Sequence, residues 1–117
     1  MPFINVKTNI SINKEKEEII KSEIGNSMNI IGKTENWLMM NFEDSQRMYF
    51  GGNDEGPIAF VEVNLYGGAG KDAYNKLTAR ITDVLNCELQ ILPNKIYVKY
   101  FETGSWGFNG SNFWYRL

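Results

Sequence analysis

The residue best suited to acid–base chemistry is Pro2, which directly follows Met1. Methionine aminopeptidases remove an initiating methionine when the second residue is small, so we expect the processed chain to begin at Pro2. The proline nitrogen is then a secondary amine without amide resonance, and it can accept a proton. An α-amino group ordinarily has a pKa of about 7.7 to 8.0, and apolar burial or a nearby cation lowers that pKa. A base positioned in this way typically accelerates proton transfer by about 10²- to 10⁴-fold.

The composition excludes most other kinds of active site. The sequence contains no histidine, which excludes histidine-based triads and the commonest metal ligand. Cys87 is the only cysteine, so the chain can form neither an internal disulfide nor a cysteine zinc cluster. We therefore expect no metal site and no cofactor. The alternative interpretation of Pro2 is a proline that merely opens an edge strand, which is a common use of this residue.

Charge and hydropathy limit the kinds of partner. Nucleic-acid binding depends on clustered Lys and Arg, and a formal net charge of -2 gives no electrostatic basis for it. No stretch reaches the roughly 18 to 20 apolar residues of a membrane span, and the N-terminus lacks the pattern of a signal peptide. We expect no nucleic-acid partner and no membrane insertion. A cytoplasmic location follows by default, with secretion that needs no signal peptide as the alternative.

Hydropathy and turn residues predict the elements that must position Pro2, within one domain that spans residues 1–117. The predicted order is strand 2–8, helix 13–31, strand 37–43, turn 50–57, strand 58–66, helix 71–88 and strand 95–101. Asn13 is the expected N-cap of the first helix, and Gly32 is its expected left-handed C-terminal cap. The strand at 37–43 is mostly apolar, which predicts that it is buried.

The two halves of the sequence resemble each other. Apolar residues in the second predicted strand match those in the fourth, pairing Trp37, Met39 and Phe42 with Ile96, Val98 and Phe101. This pattern predicts a duplicated βαβ unit. Right-handed crossovers then place both helices on one face of a four-stranded mixed sheet, an α+β fold made of two α/β-type units. Because the strands are apolar, the uncovered face should meet something, most simply copies of the same chain.

The C-terminal segment ETGSWGFNGSNFWYRL combines five aromatic residues with turn-forming Gly and Asn. This composition predicts short strands that pack on a neighbouring subunit. The alternative is a flap that covers the same chain.

Short motifs follow one another along nearly the whole chain. They are the strand beginning at Pro2, Thr8-Asn9, Gly32-Lys33, Phe50-Gly51-Gly52, the glycines at 67, 68 and 70, Pro93-Asn94-Lys95-Ile96-Tyr97 and the terminal WGFNGSNF. Their order and spacing resemble the macrophage migration inhibitory factor family of the tautomerase superfamily. The resemblance implies a homotrimer whose sheets line a central barrel, with active sites at the subunit interfaces. It also implies phenylpyruvate keto–enol and D-dopachrome tautomerisation, with the N-terminal proline as proton carrier.

The resemblance assigns roles to residues at matching positions. Lys33 matches the lysine that meets the substrate's carboxylate or polarised oxygen, with a solvated turn lysine as the alternative. Tyr66 lies where the family holds substrate with a backbone N–H group. Tyr97 matches a pocket tyrosine contributed by the adjacent subunit, with an ordinary core-facing aromatic residue as the alternative.

Other matching positions carry changed residues. Lys99 lies where well-known members have asparagine, and a second cation there would favour acidic substrates and further lower the pKa of Pro2, unless it points into solvent. Trp106 and Phe113 match pocket-wall positions, and Trp106 is larger than the usual valine and would narrow the entrance. Phe108 replaces a tryptophan, which is a conservative change.

Two departures limit what the resemblance implies. The Cys-x-x-Cys pair of some members is Ile58 and Val61 in this sequence, which excludes dithiol redox activity. The chain also continues past Phe113 with WYRL, beyond the usual end.

Pro2 and the family resemblance together predict an isomerase, a tautomerase acting on a small aromatic α-keto acid or a similar substrate. The alternative is a cytokine-like protein that binds a cell-surface receptor and carries a vestigial active site.

Overall fold

The computed structural model of the protein describes residues 1–114, so most of the WYRL extension lies outside the described residues. The strands are β1 (Pro2–Thr8), β2 (Met39–Glu43), β3 (Ala59–Tyr66), β4 (Ile96–Thr103), β5 (Ser105–Phe108) and β6 (Ser111–Trp114). The helices are α1 (Lys14–Gly25) and α2 (Lys71–Leu89), with short 3-10 turns at Met28–Ile31, Glu35–Trp37 and Pro93–Lys95. The predicted β1 has the observed bounds, and the predicted β3 and α2 differ from the observed ones by one residue.

The main sheet has four strands in the order β2-β1-β3-β4. β1 and β2 are parallel, β3 and β4 are parallel, and the central pair of β1 and β3 is antiparallel. Each parallel pair is joined by a helix, because a parallel connection needs a crossover. The predicted duplicated βαβ architecture, a four-stranded mixed sheet with two helices, is confirmed.

The core lies between this sheet and both helices. The side chains that are fully buried from the sheet are Ile4, Val6, Val61, Val63 and Leu65, and those from the helices are Ile20, Ile24, Leu77, Ile81 and Leu85. They belong to one continuous apolar cluster, which shows that α1 and α2 cover the same face. Burial of this face is the main source of stability for helices of this length.

The first helix is shorter than predicted. Asn13 caps it as expected, because its side chain accepts a hydrogen bond from the Lys16 N–H at 2.8 Å. The predicted end at residue 31 is wrong, since α1 stops at Gly25 and a separate 3-10 turn follows. Gly25 lowers the helix propensity at this point, and a Cβ atom there would overlap the Glu35 side chain that packs against it. Gly32 adopts the left-handed conformation that was expected of a cap, with φ of 69°.

The second strand is exposed, so the predicted burial of residues 37–43 is wrong. Trp37 lies in a 3-10 turn and Met39 in β2, and their side chains are 54% and 68% exposed. β2 is an edge strand, and only its alternate residues Met40 and Phe42 pack against the core. Residues that alternate between two faces have a period of two, which a short apolar run conceals.

The predicted match between the two halves is displaced by one residue. Met40 and Phe42 face the helices from β2, and Val98 and Tyr100 face them from β4. Their partners on the central strands are equivalent, since Met40 pairs with Ile4 and Val98 pairs with Val61. A one-residue displacement in a strand exchanges the two faces of the sheet, so the correct match joins Met40 to Val98.

The open face of the sheet is mixed in polarity, not wholly apolar as the sequence suggested. Its three cross-strand rows are Met39-Phe3-Asn64-Phe101, then Asn41-Asn5-Glu62-Lys99, then Glu43-Lys7-Phe60-Tyr97. The middle row is polar and hydrogen bonded: Asn5 donates to Glu43 at 2.6 Å and to Glu62 at 3.2 Å, and Lys7 pairs with Glu62 at 3.0 Å. A sheet that is covered on one side alternates apolar and polar residues, which explains this pattern.

The C-terminal residues form a separate hairpin of β5 and β6, as short strands were predicted there. The two-residue loop between them is Asn109-Gly110, and both residues have positive φ, at 53° and 78°. Asn-Gly is the pair that this type of tight hairpin turn favours. Among residues 1–114, no helix combines the length and hydropathy that crossing a membrane requires.

Candidate active site

Pro2 is the first residue of β1, and it is buried. It pairs with Leu65, one residue before the end of β3, and this pairing fixes the N-terminus at one end of the sheet. Met1 is attached in the chain as described, so the Pro2 nitrogen is an amide. The Met1 carbonyl accepts a hydrogen bond from the Tyr66 N–H at 3.4 Å. Removal of Met1 would convert the same nitrogen into an amine without moving β1.

A groove with aromatic walls opens beside Pro2. It consists of two adjoining cavities of about 350 and 380 Å³, which share the lining residues Met1, Trp37 and Phe108. Further lining is contributed by Pro2, Phe3, Leu38, Met39, Trp106 and Phe113. Such a groove suits a ligand with an apolar ring, because five of its lining residues are aromatic.

Lys33 brings a positive charge to this end of the sheet. It follows the left-handed turn at Gly32, and its own N–H donates to the Met28 carbonyl at 3.0 Å. Its ammonium group donates to the Tyr66 carbonyl at 3.1 Å. Lys33 and Tyr66 are 33 residues apart in sequence, so the fold brings together two of the predicted site residues.

The surroundings of the N-terminus favour an uncharged amine. Burial lowers the pKa of the Met1 α-amino group from 8.0, and the nearby charge of Lys33 lowers it further. Both causes penalise the protonated form of the amine on Met1, the residue that precedes Pro2. Within residues 1–114, no three Cys, Asp or Glu side chains are arranged so that they could hold a metal ion. The candidate base thus lines the groove, and Lys33, which does not line the two cavities, is bonded to the neighbouring Tyr66 carbonyl.

The hairpin supplies one wall of the groove from the same chain. Trp106 and Phe113 lie directly opposite each other on β5 and β6, and both line the groove. The ring of Phe113 lies 6.4 Å from that of Tyr66, and the ring of Phe108 meets Trp37 edge-on at 5.3 Å. The hairpin therefore borders the groove within one chain, although most of its residues are exposed.

Tyr97 and Lys99 are not brought to this groove within one chain. Tyr97 is 60% exposed and its ring contacts Phe50 and Phe60, at centroid distances of 5.1 and 6.4 Å. It pairs with Phe60, five residues before Leu65 on β3, which corresponds to about 16 Å at the rise of a strand. Lys99 pairs with Glu62, and its ammonium group lies 4.5 Å from the centre of the Phe101 ring. The groove within one chain therefore lacks two of the predicted site residues, Tyr97 and Lys99.

Comparison with known proteins decides the family. The model of the family described as macrophage migration inhibitory factor (MIF) matches residues 1–114. The chain belongs to this family. Members of the MIF family share the fold of the tautomerase superfamily, and the similarity covers the groove, both βαβ units and the hairpin.

Individual MIF relatives agree with this assignment. A curated macrophage migration inhibitory factor homolog from Brugia malayi is 29% identical over 115 residues, covering 97% of this chain and 99% of the relative. The crystal structure of Leishmania major MIF2 has a TM-score of 0.89 at 30% identity and covers 97% of both chains. A MIF homologue from Prochlorococcus marinus, at 23% identity and a TM-score of 0.84, shows the same fold.

In this MIF-family chain, sequence reasoning missed Trp37 as a groove residue. Trp37 lines both cavities and packs against Phe108, although the sequence suggested a buried strand residue. One signal in the sequence could have identified it. Trp37 comes four residues after Lys33, and the short segment between the Gly32 turn and edge strand β2 has too few residues to bury a tryptophan. The rigid ring of Trp37 supplies the groove wall opposite the hairpin.

Proposed function

We propose that the protein is a keto–enol tautomerase of the phenylpyruvate or D-dopachrome type, with Pro2 as the general base after removal of Met1. The observation that supports this most directly is the burial of Pro2 at a groove with aromatic walls, next to an N-terminal amine whose pKa is lowered by burial and by Lys33. A lowered pKa shifts an amine towards its unprotonated form, which is the form that acts as a base.

The proposed reaction is an intramolecular proton transfer. The Pro2 amine removes a proton from the carbon next to the substrate carbonyl, and the electron pair moves onto the carbonyl oxygen. The protonated proline then returns the proton at another atom, so that keto and enol forms interconvert without net gain or loss. Lys33 stabilises the negative charge that develops on oxygen, or holds the substrate carboxylate. The lowered pKa of the amine favours the second step, because its conjugate acid then releases the proton readily.

The groove suits a small aromatic α-keto acid. Trp37, Trp106 and Phe113 offer apolar ring surfaces to an aromatic side chain, and Lys33, held at the Tyr66 carbonyl, would offer a cation to the carboxylate. The Tyr66 N–H, which donates to the Met1 carbonyl in the described chain, would donate to a substrate oxygen once Met1 has been removed. The large Trp106 narrows the groove compared with a smaller residue at that position.

A homotrimer would complete the site. Tyr97 lies at the other end of the sheet and Lys99 in its middle row, and both are exposed, so a neighbouring chain could carry them into the groove of this one. Both edges of the sheet, β2 and β4, present backbone groups that can pair with another chain. In this proposal, the substrate meets Pro2 and Lys33 of one chain and Tyr97 and Lys99 of the next.

The test is the keto–enol interconversion of phenylpyruvate, followed by ultraviolet absorbance, on protein whose mass shows that Met1 is absent. Pro2→Gly keeps a small residue for the aminopeptidase but replaces the secondary amine with a primary one. We expect a loss in kcat/KM of about 10²-fold or more, within the range for a positioned base. Insertion of Ala between Met1 and Pro2 keeps the proline and returns its nitrogen to an amide, and should be equally damaging. Equal rates in parent and Pro2→Gly protein would refute the proposal.

A second candidate function is that of a cytokine-like ligand for a cell-surface receptor. The names of the relatives support it, since proteins such as the Brugia malayi homolog are called macrophage migration inhibitory factors. The location that this function requires is extracellular, whereas tautomerase activity is compatible with the cytoplasm. Binding of the purified protein to a receptor ectodomain, undiminished by Pro2→Gly, would favour this function over catalysis.

A further inference from the structure

The loop that follows Tyr66 is held by two side chains outside the groove, Tyr74 and Glu102. The Tyr74 hydroxyl, in the first turns of α2, accepts a hydrogen bond from the Ala69 N–H at 3.2 Å. The same hydroxyl donates to the Glu102 carboxylate near the end of β4. Burial, and then the bond to Glu102, raises the pKa of Tyr74 to about 12, so the hydroxyl keeps its proton at neutral pH. The two side chains thus link the loop to both α2 and β4.

Gly68 allows Glu102 to approach the loop. A Cβ atom on residue 68 would overlap the Glu102 carboxylate, so a residue with a side chain there would displace it. The Gly67 N–H donates to the Thr103 carbonyl at 2.8 Å, which adds a second bond between the loop and β4. The glycines of this loop therefore serve its close packing against the strand.

Tyr100 supports the Tyr74 ring from the side of the sheet. The two rings are stacked, with centroids 4.2 Å apart and an angle of 23° between their planes. The Tyr100 hydroxyl lies 2.7 Å from the Thr78 hydroxyl oxygen and donates to the Tyr74 carbonyl at 3.1 Å. These bonds join β4 to α2 and do not reach the loop, whose side-chain contacts come from Tyr74 and Glu102 beside the backbone bond between Gly67 and Thr103.

The loop begins in the same peptide group that carries the acceptor for Lys33. The Tyr66 carbonyl and the Gly67 N–H belong to one planar unit, so the position of one fixes that of the other. Lys33 donates to this carbonyl at 3.1 Å. A lysine has several rotatable bonds, and it stays in one place only where its ammonium group has a fixed partner. The Gly67 bond to Thr103 and the Tyr74 bond to Ala69 therefore act on either side of the loop that carries the acceptor for Lys33.

We propose that Tyr74 and Glu102 are positioning residues, which hold residues 67–70 so that the Tyr66 carbonyl keeps the Lys33 ammonium group beside the N-terminal residue. They do not touch substrate, and they act through Lys33. The consequence for catalysis rests on the proposed function, whereas the effect on the N-terminal amine does not.

The experiment compares Tyr74→Phe with Tyr100→Phe in the processed protein. Each variant removes one hydroxyl from one member of the stacked pair, and neither changes the charge of the protein at neutral pH. The pKa of the N-terminal amine is measured by NMR titration, without any substrate. We expect Tyr74→Phe to raise that pKa, because Lys33 is no longer held nearby, and Tyr100→Phe to leave it unchanged. In a Lys33→Met background, Tyr74→Phe should have no further effect, since the residue through which it acts is gone.

Three outcomes would overturn the inference. They are an unchanged pKa in Tyr74→Phe, equal shifts in the two tyrosine variants, and an undiminished shift in the Lys33→Met background. Hydrogen exchange provides a test that needs no variant, because the inference requires the Ala69 amide of the parent protein to be protected. Rapid exchange at Ala69 would therefore also overturn it, even if Tyr74→Phe did not fold.

Kinetics with phenylpyruvate separate this inference from the proposed function. If Lys33 binds the substrate carboxylate, Tyr74→Phe should raise KM about three- to tenfold, the effect of weakening one hydrogen bond, with little change in kcat. An inactive parent protein would refute the tautomerase proposal, while the titration would still decide whether Tyr74 and Glu102 position Lys33.

Discussion

The two ends of the open sheet face differ in how much of a site one chain supplies. At the end near Pro2, the N-terminal residue, Lys33 and Tyr66 are joined by hydrogen bonds and surrounded by aromatic side chains. At the far end, Tyr97 is mostly exposed and contacts only a neighbouring patch of its own chain. The comparison indicates that the candidate base and its cation are organised within a single chain. Tyr97 and Lys99, which were also predicted site residues, lie away from the groove of their own chain.

The far end of the open sheet face carries a partly exposed aromatic cluster around Tyr97. Phe50 packs against Tyr97 at 5.1 Å, and Lys95 lies 4.7 Å from the centre of the Phe50 ring. Aromatic clusters this exposed are uncommon on monomers and usually mark contact surfaces. A domain of 117 residues also has a limited core, so burial of such a surface against another chain would add stability.

The largest effect on this comparison is expected from Lys33→Met, which removes the cation from the organised end. We expect kcat/KM for phenylpyruvate to fall about 10²-fold, comparable to the loss of one donor that stabilises developing negative charge. The acid limb of the pH profile should also move to higher pH. Burial would still lower the pKa of the N-terminal amine, but the contribution of Lys33 would be lost.

The matched control for this variant is Lys21→Met. Lys21 is exposed on α1 and pairs with Glu18, away from the groove. It should leave both the rate and the pH profile unchanged. A pH profile that is identical in Lys33→Met and the parent protein would contradict the assigned electrostatic role.

A smaller effect is expected from Tyr97→Ala, which changes only the far end. We expect about a tenfold loss in kcat/KM, as for one lost contact worth about 1.4 kcal/mol. The informative measurement mixes this variant with Pro2→Gly, by unfolding and refolding the two chains together. If a site combines Pro2 of one chain with Tyr97 of the next, mixed oligomers contain some intact sites and recover activity.

Refolding each variant alone provides the control for the mixture. Activity of the mixture that is no greater than the average of the two separate samples would mean that every site is built by one chain. In that case Tyr97 of one chain would not contribute to the active site of another chain.

Most of the fold could be predicted because its elements follow local rules. Asn13 caps α1, and the regular spacing of Leu77, Ile81 and Leu85 indicates α2. The early end of α1 was missed because it depends on how Glu35 packs against Gly25, which is a contact between separate segments. The displaced match between Met40 and Val98 has a different cause, since an apolar run on its own does not reveal which alternate residues face inward.

The site was less predictable than the fold. Pro2, Trp106 and Phe113 were visible in the sequence and line the groove, whereas Lys33 and Tyr66 are bonded to each other and approach the groove through the Tyr66–Phe113 ring contact. The contacts of Tyr74 with Ala69 and Glu102 could not be predicted, because they join residues up to 28 positions apart through the detailed course of a loop. Sequence patterns specify which side chains face a site, whereas the residues that hold them in place emerge only from packing.

The smallest effect is expected in the polar row that separates the two ends. Lys7, which pairs with Glu62 at 3.0 Å, holds the pKa of the Glu62 carboxyl below 4.5 against the opposing effect of burial. A carboxyl whose pKa is lowered by folding stabilises the native state fully above its unfolded pKa. That contribution disappears as the pH falls through the lower folded value. Glu62→Gln should therefore weaken the dependence of the unfolding free energy on pH below 4.5. Urea titrations of Glu62→Gln and of the exposed loop control Glu55→Gln would measure this. If the unfolding free energy of Glu62→Gln depended on pH as steeply as that of the parent protein, the ion pair between Lys7 and Glu62 would not contribute to stability.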